Sequence, residues 1–324
     1  MICERLCEVT QTKELFEKVT KNISTVVIGR ESSIKLAITA LLAKGHVLLE
    51  DVPGSGKTLL AKSLAASIHC DFKRIQFTPD LLPSDITGIN FLNMKTSEFE
   101  FMPGPVFANI VLADEINRAT PKTQAGLLEC MEEHQVTIDT ITRKLPPPFM
   151  VIATQNPIDT QGVFPLPEAQ LDRFTFKIPM RYTEHDATVE ILRQHKTEQA
   201  PLTPVVTREE ITAAQAQIPD VFVHDDIMNY IVTLIEATRT APGVLLGVSA
   251  RGALVLMRVA QTIAATNGRN FCIPDDVKEG SIPVMAHRLI LKGAERVRKN
   301  AAEEIVQEIL NTTTTPTEFV TNGE

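Results

Sequence analysis

The sequence predicts an α/β fold, a five-stranded parallel sheet between helices, followed by a smaller all-helical domain. Three observations predict it. Short apolar runs recur at Val47–Leu49, Ile75–Phe77, Ile110–Ala113, Met150–Ala153 and Phe174–Ile178, separated by helical patterns. The first run feeds a glycine-rich turn that opens a helix. From about Thr183 the strand-like runs stop and helical periodicity takes over. Strands alternating with helices mark βαβ units, and runs apolar on both faces suit a sheet covered on both sides.

Taken in order, Gln11–Ile23 reads as a helix, and Glu31–Lys44 has helical periodicity after a Gly29-Arg30 turn. The first strand then runs through Glu50 and Asp51 into Val52-Pro53-Gly54-Ser55-Gly56-Lys57-Thr58, with Leu59–Ile68 as the following helix. Glycines let successive backbone N–H groups turn inward around a triphosphate, and the helix adds its positive N-terminal end. Lys57 can reach the β- and γ-phosphates and Thr58 can hold Mg²⁺. Pro53, Gly54, Ser55, Gly56, Lys57, Thr58 and Leu59 are the expected nucleotide-binding residues. The strict pattern G-x-x-x-x-G-K-[ST] has glycine where this chain has Asp51. Asp51 thus adds a carboxylate near the phosphates, and its effect on nucleotide affinity is open.

The third strand ends in Asp114-Glu115, at the carboxyl edge where α/β sheets place their ligands. Asp114 is the expected Mg²⁺ ligand, directly or through water, and Glu115 the group that polarises the attacking water. The fourth strand ends in Thr154-Gln155-Asn156-Pro157, where Asn156 would orient water against the γ-phosphate, although Asn before Pro is also ordinary turn chemistry. Leu166–Phe174 reads as a short helix with Arg173 just before the fifth strand. A guanidinium there suits transition-state charge on a phosphoryl group, including one bound by a neighbouring subunit.

Beyond Thr183, helical patterns cover Glu184–Lys196, Arg208–Ala216, His224–Arg239, Ser249–Thr266 and Pro274–Leu291, punctuated by prolines. Ser249-Ala-Arg251-Gly252 starts one of these helices, and Arg251 would contact the γ-phosphate as the second domain closes. Taken singly, Arg173 and Arg251 each read first as surface ion-pair formers, and it is the accompanying motifs that favour the phosphoryl role. The Thr-rich segment Asn311–Glu324 reads as a mobile tail.

The ordered set LLEDVPGSGKT (48–58), FTPDLLPSDITG (77–88), FMPGPVFANIVLADEINRA (101–119), LLECMEEHQVT (127–137), VIATQNP (151–157), LPEAQLDRF (166–174) and SARGALVL (249–256) resembles the MoxR family of AAA+ ATPases. The resemblance runs from about Val26 to Leu291. It implies an N-terminal helical segment (1–24), an AAA+ P-loop core (25–182), a helical lid (183–310) and the tail (311–324). It also implies insertions at about 82–105 and 135–147, both read as hairpins, which in related ATPases face a central pore. ATP and Mg²⁺ are the implied cofactors, and a ring of six subunits the implied assembly. A von Willebrand A domain partner and a client protein are implied as separate chains. Arg118 fits the family pattern and would reach a neighbouring subunit's site. A magnesium-chelatase-like ATPase subunit driving metal insertion is the nearest alternative.

Composition narrows the rest. Net charge is −8, from 32 basic and 40 acidic residues, which argues against a nucleic-acid motor, as does the lack of tryptophan. No apolar run is long enough to span a membrane, and the first residues lack a signal peptide's apolar region, so a cytoplasmic location is expected. Five scattered cysteines fit reduced thiols; Cys3 and Cys7 alone make half of a metal site, and no second ligand pair follows.

Overall fold

The computed structural model describes residues 2–51, 55–156, 162–180, 182–194, 202–298 and 300–316. In chain order these form α1 (Ile2–Ser24), α2 (Glu31–Leu42), β1 (Val47–Asp51), α3 (Lys57–Ser67), β2 (Phe72–Gln76), α4 (Pro83–Thr87), β3 (Gly88–Asn93), β4 (Glu98–Pro103) and β5 (Ile110–Asp114). There follow α5 (Pro121–Glu133), β6 (Gln135–Ile138), β7 (Ile141–Lys144), β8 (Met150–Gln155), α6 (Glu168–Leu171), β9 (Phe176–Met180), α7 (His185–Gln194) and α8 (Arg208–Gln217). The remainder comprises α9 (Asp225–Thr240), β10 (Val244–Leu246), α10 (Ala250–Thr266), α11 (Pro274–Met285), β11 (Ile290–Leu291) and α12 (Ala301–Thr312).

The chain divides into two compact units. One is residues 15–215; the other combines residues 1–14 with 216–324. The expected boundary at 182/183 differs: residues 183–215 sit with the sheet rather than with the helical unit.

In the first unit the five strands are parallel, in the order β2-β5-β8-β1-β9. β5 is buried throughout and β8 over all but its last residue, which explains their unbroken apolar sequences. β2 lies at the edge and exposes Lys73, Arg74 and Gln76. Lys73 and Arg74 are polar where water reaches them, and the apolar run therefore marked only the strand's end. A core of Leu48, Phe77, Val111, Leu127, Met131 and Phe174 fills one side of the sheet.

Both insertions are two-stranded antiparallel hairpins, β3–β4 and β6–β7. They touch each other: Asn90 Nδ2 donates to Asp139 Oδ2 at 2.6 Å, and the Arg143 guanidinium lies 4.0 Å from the centroid of the Phe101 ring. In the second hairpin Val136 is buried and Ile138 packs against the core, while Ile141 is exposed.

The second unit is helical except for one short antiparallel ladder, β10–β11. The pattern over Pro274–Leu291 is thus not one helix. Pro283 removes a backbone donor in the last turn of α11, the helix ends at Met285, and Ile290–Leu291 pairs with Val244–Leu246. α10 and α11 pack so closely that a Cβ on Gly280 would stand 2.9 Å from Val259 Cγ1. α12 runs through Thr312, so the tail begins later than Asn311; residues 317–324 lie outside the described residues.

Candidate nucleotide site

Parallel pairing puts the carboxyl ends of β1, β2, β5 and β8 along one edge of the sheet. The register aligns Gln76 with Asp114 and Glu50 with Gln155, so a polar row replaces the apolar core where the strands end. Open α/β sheets bind ligands outside this edge.

The turn after β1 enters α3 through Gly56, which is left-handed at φ 90°, ψ 15°. That conformation favours glycine, and an added Cβ would meet nothing within 4 Å, so the turn opens onto space. Lys57 and Thr58 are the first residues of α3 and are half-exposed; Leu59 is exposed and Leu60 buried. Gly56 has no side chain to cap α3, and the positive N-terminal end of the helix carries Lys57 and Thr58. Ser55 is half-buried and its carbonyl accepts from Arg30 Nη2 at 3.5 Å. Pro53 and Gly54 lie outside the described residues.

At the end of β5, Asp114 is buried but doubly bound. Its Oδ2 takes Arg74 Nη2 at 2.5 Å and Nε at 3.0 Å, and its Oδ1 accepts from Thr154 Oγ1 at 2.7 Å. The same Thr154 hydroxyl accepts the Glu115 N–H at 2.8 Å, which ties β8 to the turn that carries both carboxylates. Glu115 itself is left-handed at φ 58°, ψ 49°. A non-glycine residue held there costs on the order of 1–3 kcal/mol, a strain that functional sites characteristically store. The turn projects the Glu115 carboxylate toward β2 and Arg118. Its Oε2 accepts from Gln76 Nε2 at 2.9 Å and pairs with Arg118 Nε at 3.1 Å. Arg118, expected to reach a neighbouring site, is thus paired within its own chain.

Asn156 follows β8 directly and is half-buried, and its carbonyl accepts from Asn117 Nδ2 at 3.5 Å. Beside it Gln155 Nε2 and Lys177 Nζ reach Glu50 Oε1 at 3.2 and 2.9 Å, tying β1 to its neighbours β8 and β9. Arg173 lies two residues past α6 and pairs with Glu132 of α5 at 3.1 Å. Arg251 belongs to the other unit, in the first turn of α10, whose N-cap Ser249 accepts the Gly252 N–H at 3.2 Å. One sheet edge thus assembles Ser55–Thr58, Asp114, Glu115 and Asn156.

Sequence reasoning missed Arg74, Gln76 and Thr154. The alternation Arg74-Ile75-Gln76 was the available signal for an edge strand with a polar face. It also missed His46, which is buried with both ring nitrogens engaged. Nε2 donates to Met131 O and Nδ1 accepts from Val151 N, each at 2.9 Å. Burial holds its pKa down at about 4, as the neutral ring these two contacts require. Cys70, Cys130 and Cys272 are unpaired thiols pushed by burial up to about 12 and so are protonated at neutral pH. Among the described residues no group of three or more His, Cys, Asp or Glu is placed to hold a metal, and no helix is long and apolar enough to cross a membrane.

Known proteins match this architecture closely. Residues 46–176 match the ATPase family associated with various cellular activities (AAA), and residues 236–309 match the AAA lid domain. The Bacillus subtilis protein YeaC is 48% identical, over 93% of this chain and 95% of its own length. Chaperone MoxR1 of Mycobacterium tuberculosis is 37% identical, over 93% of this chain and 82% of its own. A crystal structure from Cytophaga hutchinsonii superposes with a TM-score of 0.88 at 36% identity, covering 96% of this chain and 97% of that one. A nucleotide-binding sheet edge, a lid-family segment and 37% identity to a named MoxR protein over 93% of this chain converge: the chain belongs to the MoxR family of AAA+ ATPases.

Proposed function

We propose that the chain hydrolyses ATP with Mg²⁺ in a ring, expected to be a hexamer, and uses that cycle to remodel, assemble or mature client protein complexes. A von Willebrand A domain protein is the proposed partner, as a separate chain, and the cytoplasm the proposed location. The observation that carries the catalytic part is the convergence of the Gly56–Thr58 turn, the Asp114-Glu115 pair and Asn156 on one sheet edge.

In this reading the N–H groups around Gly56 cradle the phosphates and Lys57 faces the β- and γ-phosphates. The Thr58 hydroxyl and the Asp114 carboxylate are hard oxygen donors of the class Mg²⁺ takes, and they are the residues that would hold it. Mg²⁺ supplies neutralisation of charge on the phosphate oxygens. Asp114 carries the Arg74 guanidinium on Oδ2 and the Thr154 hydroxyl on Oδ1, contacts that would orient the carboxylate toward the ion. Glu115 polarises the attacking water, Asn156 orients it, and Arg173 stabilises the transferring phosphoryl group in the neighbouring subunit. Arg251 contacts the γ-phosphate as the lid closes.

Three variants test this. Lys57→Ala should lose tight ATP binding, whereas Glu115→Gln should bind ATP and fail to hydrolyse it. Arg173→Ala should also bind ATP while losing about 10³–10⁵ in rate. Mixing the Glu115→Gln and Arg173→Ala proteins should restore activity, because an Arg173→Ala subunit keeps its own Glu115 and borrows an arginine. Wild-type binding by Lys57→Ala would refute the phosphate loop, and no recovery in verified mixed rings would refute action in trans.

A further inference from the structure

The contact between Arg173 and Glu132 joins two elements that are themselves fixed. Glu132 sits on the last turn of α5, anchored by buried Leu128 and Met131, and Arg173 directly precedes Phe174, which is fully buried. Nη2 of Arg173 stands 3.1 Å from Oε2 of Glu132, on the wall of a recess of about 260 Å³ that Gln170 and Glu129 also line. Neither side chain is deeply buried, at 29% and 37% exposed.

We infer that Glu132 is a positioning residue for Arg173: it holds the guanidinium in the orientation from which it meets the neighbouring subunit's nucleotide. The inference rests on the reading of Arg173 as acting in trans. A long arginine side chain on a fixed backbone samples many rotamers, and each productive encounter selects one of them. A half-exposed ion pair biases that choice only modestly, by up to about fivefold. That is too weak to withhold the guanidinium from a triphosphate, and enough to pre-select a rotamer. A guanidinium carries five N–H donors, so a pair made through Nη2 leaves others for phosphate oxygens.

Steady-state kinetics of Glu132→Ala and Glu132→Gln, with assembly checked by native mass spectrometry, test this. Glu132→Ala should lower kcat about fivefold with KM for ATP unchanged. Glu132→Gln, which keeps an acceptor and the same shape, should fall between Ala and wild type; it also serves alone if the Ala variant does not assemble. Because Glu132 acts only on the arginine its own subunit donates, mixing either variant with an increasing excess of Glu115→Gln should raise kcat per Glu115-bearing site toward the wild-type level. A destabilised α5 would not be rescued that way. Unchanged or raised kcat, or no rescue, overturns the inference. The Arg173→Ala and Glu115→Gln mixture separates the two failures: if it recovers while the Glu132 variants behave as wild type, only the positioning role falls. If it does not recover, action in trans falls and the positioning role with it.

Discussion

Glu115 shows how much of this site is set by partners outside any motif spelling: its left-handed turn is tolerated because the Thr154 hydroxyl accepts its N–H while its carboxylate accepts from Gln76 and pairs with Arg118. Thr154→Val keeps the shape but leaves the buried Asp114 Oδ1 without its hydroxyl donor. Such a loss costs about 1–3 kcal/mol, and the expected result is weaker Mg²⁺-dependent hydrolysis with ATP binding retained. Isothermal titration beside phosphate-release kinetics would show that split, and wild-type turnover would refute it. His46 gives a pH prediction with a definite sign. Its folded pKa is held at about 4 against an ordinary 6.5, so the fold binds the neutral ring. The corresponding stability, about 3 kcal/mol, is present above pH 6.5 and is lost as pH falls from there through about 4. Urea unfolding across that window should show His46→Gln with a flatter pH slope by close to one proton. Identical slopes would mean that the ring's burial is not felt.

At the scale of elements, α11 is held at its start by a buried ion pair rather than by its own propensity. Asp276 is 2% exposed, accepts the Ile273 N–H at 2.9 Å, and takes Arg269 Nη1 and Nη2 at 2.7 and 2.5 Å. Removing Arg269 leaves the buried Asp276 carboxylate uncompensated, so Arg269→Ala should destabilise the helical unit by about 3–5 kcal/mol. Denaturant unfolding would register this, and a loss under 1 kcal/mol would mean that water solvates Asp276 in its place. Neither residue was singled out from sequence, because a pair across a turn leaves no periodic trace. Where burial is two-sided, as in β5 and β8, the apolar run betrayed the strand almost to the residue. The edge strand β2 and the ladder β10–β11 were misjudged or unseen, since half-exposed short strands share the composition of loops. The catalytic candidates at strand ends were legible because the sheet's topology fixes where strand ends go. Their partners Arg74, Gln76 and Thr154 come from neighbouring strands, and only register brings them in.

For the whole molecule, charge separates the two classes of substrate a AAA+ ring can act upon. A chain with net charge −8 repels a polyanion, and nucleic-acid binding draws most of its affinity from counterion release by basic side chains. The hairpins offer little to offset this. Arg143 of β7 is engaged over Phe101, while β3–β4 exposes Leu92, Met94 and Phe99. Apolar side chains exposed together suit contact with a polypeptide. ATPase activity should therefore be insensitive to single- or double-stranded DNA and RNA at 150 mM salt. The Glu115→Gln protein, held in its ATP state, should retain a protein client after cross-linking and mass spectrometry. Substituting Leu92 and Phe99 by Ser should release that client while leaving basal hydrolysis within about twofold, as expected for exposed sites away from the nucleotide. Stimulation by nucleic acid, together with client retention indifferent to the hairpin substitutions, would turn the assignment from protein remodelling to nucleic-acid translocation.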